Sequence, residues 1–151
     1  MTTLALEDSL SRRLTRLDSQ LKIEYELIGH RVSWLLVSNS FLFGAFVVGI
    51  NNLSEKDDIQ KLIHILIYAI PIIGLASSVL VALAVRAAHE VISELKVVRD
   101  RVEEEAHHAF SYERLGVHIK SWPHIVGNWP PTVLPPLFAV VWARVLYEVF
   151  R

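Results

Sequence analysis

The sequence predicts an all-α integral membrane protein with three transmembrane helices, the first two extended into a long cytoplasmic helical hairpin. Three observations lead there. Hydrophobic residues make up 52% of the 151 and charged residues 21%, with a mean hydropathy of +0.38. The apolar residues gather in three stretches, 32–50, 62–85 and 129–150, each close to the roughly 20 helical residues that cross a hydrocarbon core. The segments beside them repeat their apolar residues at helical spacing.

Residues 1–31 read as a cytoplasmic amphipathic helix. Leu6, Leu10, Leu14, Leu17, Leu21 and Ile28 follow steps that trace one helix face, and Glu7, Asp8, Arg12, Arg13, Asp18 and Lys22 cover the other. No Pro or Gly intervenes before Gly29, so one helix of roughly 70 Å is expected from Leu4 to Ile50. Its 19-residue part 32–50 carries no ionisable group and forms the first span. The connection 51–61 is an outer loop. Residues 62–85 run for 24 positions with His64 as their one titratable group and form the second span.

Residues 86–116 continue as a cytoplasmic helical extension. Val91, Leu95, Val98, Val102, Ala106 and Phe110 are its apolar stripe, and Gly116 is a suitable C-terminal stop. The two extensions leave the membrane on one side and run antiparallel, so each stripe can cover the other or a neighbouring subunit. Residues 117–128 form an interfacial connection, with Pro123 and Gly127 as helix breakers. The third span, 129–150, opens on Pro130-Pro131, and Pro135-Pro136 is expected to kink it or leave it partly unwound.

Charge sets the orientation. Eleven of the 15 basic residues fall in 1–31 and 86–124, so the positive-inside rule places those segments in the cytoplasm. The N-terminus is then inside and the C-terminus outside, with Trp34, Trp122 and Trp129 at the inner boundary. The formal net charge of −1 lacks the basic excess of a nucleic-acid-binding module, so no nucleic-acid partner is expected. With no cysteine, disulfides, thiolate metal sites and Cys nucleophiles are excluded. No Walker loop, HExxH or GxSxG occurs, so the chain is not expected to be an enzyme or to need a cofactor.

Several polar groups could carry function. Ser38 and Asn39, with Ser40, lie mid-span, where an amide needs a partner; they either glue helices together or line a pore. His64, one turn from Tyr68 near the outer end of the second span, either contacts an ion or reaches interfacial water. Glu55, Asp57 and Asp58 would form an acidic ring if several subunits surrounded an axis, or a polar turn if not. Arg144 and Glu148 are an i, i+4 pair, although Arg144 could instead reach that acidic cluster. Glu104, Glu105, His107 and His108 overlap as two Glu-x-x-His steps; with no second copy in the chain they read as a solvated charged face, or as a metal site only if symmetry around an oligomer supplies the rest, and no metal is expected. Gly44, Ala45, Gly74, Ala76, Ser77 and Ser78 permit close helix contact.

The segment HRVSWLLVSNSFLF (30–43), followed late in the chain by LPPLFAVVWARVLY (134–147), resembles the layout of a group of small bacterial three-span helical membrane proteins. That group has no assigned activity. The resemblance implies a bacterial inner-membrane location and transfers no functional residue.

Three spans make a thin bundle, so association with copies of itself is expected. The leading functional expectation is a homo-oligomeric channel that conducts ions past Ser38, Asn39 and the acidic loop. The second is a non-conducting membrane adaptor or effector whose cytoplasmic hairpin binds a protein partner. A small transporter ranks lower, because no internal repeat is visible.

Overall fold

The computed structural model describes residues 3–51, 57–110 and 129–151, with side-chain detail for 8–51, 61, 63–105 and 129–151. Every element among the described residues is a helix: α1 (Thr3–Asn51), α2 (Asp57–Phe110) and α3 (Trp129–Phe150). All three are long and apolar enough to cross a membrane, within Asp8–Asn51, Ile63–Glu105 and Trp129–Phe150.

α1 is uninterrupted over 49 residues, about 74 Å. Its sequence explains this, since no proline occurs in it and Gly29 has no neighbour within 4 Å of its Cβ position, so it marks no close contact. α2 runs for 54 residues, about 81 Å, through Pro71. The two helices form an antiparallel hairpin with a constant register. Gly49 packs near Ile67, Arg31 meets Ala84 and Asp18 meets Arg99. The connection is shorter than residues 51–61, because Asn51 still belongs to α1 and Asp57 already begins α2. Two acidic residues in a first helical turn complement the positive end of the helix dipole, which accounts for the early start.

The hairpin seam follows 3- and 4-residue steps. On α1, Leu10 and Ile28 are buried and Leu14, Leu17 and Leu21 half-buried, as the leucine spacing predicts. Leu10 and Val102 form one apolar cluster with Leu14 and Leu17 against it. Ile28, Val32, Val85, Ala88 and Ile92 form another, closed by Leu21, Val81 and Leu134. The two extensions therefore pack on each other within one chain.

On α2 the seam differs from the expected stripe. The inward series is Val85, Ala88, Ile92, Leu95, Arg99 and Val102, while Val91 and Val98 stay 43% and 45% exposed. Arg99 takes a seam position because its aliphatic stem can lie along apolar surface while its head reaches a partner. That head donates from Nε to Asp18 Oδ1 at 2.8 Å. The end of α2 near Gly116 and the connection 117–128, including Trp122, lie outside the described residues.

α3 packs chiefly against α2 and lies antiparallel to it: Thr132 is near His89, Trp142 near Gly74 and Phe150 near Tyr68. It is one helix over 22 residues, about 33 Å, with Pro135 and Pro136 inside it. The expected unwinding at these prolines is corrected: the segment stays helical. Adjacent prolines nearly two turns into the helix interrupt its hydrogen bonding near its start, where few turns precede them. Pro135 is buried and Pro136 exposed, so the first ring takes part in the packing.

Candidate functional site

Asn39 of α1 and Trp142 of α3 meet in the interior of the bundle, against Gly74 of α2. Asn39 is 1% exposed and Trp142 is 0% exposed. Helical spacing puts Asn39 on the same α1 face as Leu35 and Val32, both buried. Its amide nitrogen donates to the Leu35 carbonyl oxygen at 2.8 Å. Its amide oxygen accepts the Trp142 indole N–H at 2.5 Å. Both ends of the amide are thus engaged, one within α1 and one across to α3.

The indole is enclosed on its other sides by apolar groups. Phe43, one turn beyond Asn39, stacks on it with centroids 4.2 Å apart and planes 9° apart. Phe46 meets it edge-on at 6.2 Å. Phe138, one turn before Trp142 on α3, tilts against Phe43 at 6.3 Å. Opposite, Gly74 of α2 gives the ring its space, because a Cβ there would overlap Cε2, Nε1 and Cδ2 of the indole. Ser77 and Ser78 both donate to the Gly74 carbonyl oxygen, at 3.0 and 2.7 Å, and Ser78 is fully buried. No buried side-chain nitrogen or oxygen among the described residues lacks a hydrogen-bond partner. In hydrocarbon an unpaired polar group is costly, so complete pairing is the expected state of such a node.

The other sequence-predicted residues do not join it. Ser38 is half-buried beside Asn39, and exposed Ser40 donates back to the Leu36 carbonyl oxygen at 2.9 Å. His64 is exposed on the outer face of α2, and Tyr68 packs at 5.3 Å from Phe150. Asp57 and Asp58 lie at the start of α2, so they sit on a helix and not in a loop; their side chains and all of Glu55 lie outside the described residues. Arg144 pairs with Glu148 and lies 5.3 Å over the Tyr147 ring. Glu104 and Glu105 are exposed, the side chains of His107 and His108 lie outside the described residues, and no metal-holding group occurs among those described. Of the small residues, Gly74 makes the Trp142 contact and Ser78 is buried on its own helix, whereas Gly44, Ala45 and Ala76 face outward.

Trp142 is the residue that the sequence reading passes over. A tryptophan in the middle of an apolar segment, away from the boundary where its ring is usually found, signals an indole N–H that needs a buried acceptor. Asn39 is the corresponding signal on α1. No family model, curated protein or solved structure matches the chain.

Proposed function

We infer that this chain is a multi-pass membrane anchor that does not conduct ions and that presents a cytoplasmic helical hairpin to a protein partner. One observation carries the reading. The mid-span polar residues are used inside a single chain, by Asn39 with Trp142 and Leu35 and by Ser78 with Gly74. Large apolar side chains dominate the outward surface left behind: Phe41 is 75% exposed, Leu80 66% and Val140 69%. Such a surface suits lipid tails, whereas a water-filled path needs polar lining. The argument that polar groups require further copies of the chain loses its main support as well.

The hairpin supports the second half of the reading. α1 and α2 exceed the roughly 30 Å hydrocarbon thickness by about 40–50 Å each. That length is far more than an anchor needs. It is held rigid by the seam and by Arg99, which bonds to Asp18 and also lies 3.8 Å from Glu103. The concentration of basic residues on it supports a cytoplasmic location by the positive-inside rule.

Ion conduction is the competing reading, favoured by the outward exposure of His64 and Ser40. Current recording from the purified protein in planar bilayers separates the two. The expected result is silence at all voltages, with Asn39→Leu equally silent. Steady unitary currents altered by Asn39→Leu, or by neutralising Glu55, Asp57 and Asp58 together, would establish the channel instead.

A further inference from the structure

One level of the bundle carries two arginines, Arg31 outside every described ion pair and Arg86 beside a single carboxylate. Arg31 faces α2, half-buried, and donates from Nη1 to the Ala84 carbonyl oxygen at 3.2 Å. None of the described ion pairs includes Arg31. Arg86 lies about 3 Å further along the axis than Ala84, with its side chain 81% exposed and Glu90 3.7 Å away. Exposed His30 adjoins Arg31, and His89 places Nε2 3.5 Å from Thr132 Oγ1 of α3. Towards the apolar segments, α1 has no Asp or Glu after Glu26, and α2 has none between Asp58 and Glu90.

Two tryptophans bracket this level. Trp34 is 71% exposed and lies one turn from Arg31 on the apolar side. Trp129 is 64% exposed and lies one turn from Thr132 on the other side. Exposed indoles of this kind settle at the headgroup layer. A guanidinium has five donors in a planar fork, and the Ala84 carbonyl oxygen occupies one. The remaining donors of Arg31 match the oxygens of one phosphate diester, and Arg86, about 200° further round α2 than Ala84, offers its own fork to a second.

We propose that Arg31 and Arg86 bind the phosphate of anionic glycerophospholipids, so that the chain carries a shell enriched in such lipids at its inner boundary. This rests on the membrane reading above. Charge selects the lipid: a zwitterionic headgroup compensates its own phosphate, whereas an anionic one leaves a net charge for the two arginines to neutralise. Attraction at a membrane surface raises local occupancy about five-fold per arginine.

The test uses the full chain in a Trp122→Phe background, reconstituted in phosphatidylcholine vesicles. In one set, a fixed fraction is phosphatidylglycerol brominated on its upper acyl carbons; in the other, the same fraction is phosphatidylcholine so brominated. Bromine quenches nearby tryptophan, so emission reports which lipid lies beside Trp34 and Trp129. Buried Trp142 and far-UV helicity report that the fold is kept. The expected result is a relative binding constant about five-fold or more in favour of phosphatidylglycerol. It should fall towards unity in the Arg31→Gln/Arg86→Gln variant and persist with inorganic phosphate in the buffer. Equal quenching by both lipids, or a preference indifferent to the double variant, overturns the proposal. Abolition by inorganic phosphate would assign the site to free anions and overturn it too. Quenching by neither lipid would reject the membrane reading along with it.

Discussion

Trp142 donates its indole N–H to the amide oxygen of Asn39 at 2.5 Å, joining the third helix to the first through the interior of the bundle. Between hydrocarbon-embedded helices the hydrophobic effect supplies no drive to associate, so packing and hydrogen bonds must do so. This pair supplies both. The amide answers the one polar atom of the indole, and the ring fills the space between Phe43, Phe46 and Gly74.

A double-mutant cycle should therefore register the bond. Asn39→Leu leaves the indole N–H without its acceptor, and Trp142→Phe leaves the amide oxygen without its donor. Each single change is expected to destabilise the fold, with a coupling of about 0.6–1.7 kcal/mol, the range for hydrogen bonds between membrane helices. Reversible unfolding in mixed micelles, followed by far-UV circular dichroism, measures it. A coupling indistinguishable from zero would mean that the two side chains do not depend on each other.

Gly74 makes a second prediction, steric in origin. Gly74→Ala puts a methyl group into the indole plane and should cost about 1–3 kcal/mol, the usual penalty of overpacking. In a Trp142→Ala background the same substitution should be neutral or mildly favourable, because alanine is a better helix former than glycine. Equal effects of Gly74→Ala in the two backgrounds would separate Gly74 from Trp142.

Much of this architecture was legible in the sequence, and the parts that were not have physical reasons. The bounds of α1 follow from a proline-free segment with leucines in 4- and 3-residue steps, a pattern with a single solution. On α2 two stripes compete. Val91–Leu95–Val98–Val102 and Ala88–Ile92–Leu95–Arg99–Val102 share Leu95 and Val102, and only the second contains a charged residue. Apolar periodicity favours the first. The second is the one buried, with Ala88 and Ile92 packed on Ile28 and Val32 of α1 and Arg99 reaching Asp18 at the seam's edge. The Asn39 site was half legible: an amide in mid-span announces that a partner exists, but its identity depends on which face of α3 turns inward. With prolines interrupting that segment and a weak apolar bias around it, periodicity does not select Trp142.

The register of the hairpin is open to covalent test, since the chain has no cysteine. Gly49→Cys with Ile67→Cys should form a disulfide on mild oxidation, because a Cβ at Gly49 lies 3.9 Å from Ile67 Cγ1. Gly49→Cys with Ile73→Cys should not, as Ile73 lies almost two turns away and is exposed. Mobility on a reducing and a non-reducing gel gives the answer. Efficient bridging of the second pair and not the first would shift the register.

Orientation has its own test. Single cysteines at Asp57 and at Glu94, in intact cells, should react oppositely with a membrane-impermeant maleimide. Asp57→Cys is expected to label from outside and Glu94→Cys only after the membrane is opened. Labelling of Asp57→Cys from the cytosol alone would invert the topology without touching the fold.

The outward faces of the apolar segments carry the whole reading, and spin labels on them test it most directly. Labels at Phe41 and Leu80, both strongly exposed, and at Glu94 on the hairpin are compared in proteoliposomes by their collisions with oxygen and with a water-soluble nickel chelate. Lipid-facing positions favour oxygen, and aqueous ones favour the chelate. The expected result is strong oxygen and weak chelate contact at Phe41 and Leu80, with the reverse at Glu94. Chelate contact at Phe41 and Leu80 as high as at Glu94 would contradict the lipid-embedded, non-conducting anchor.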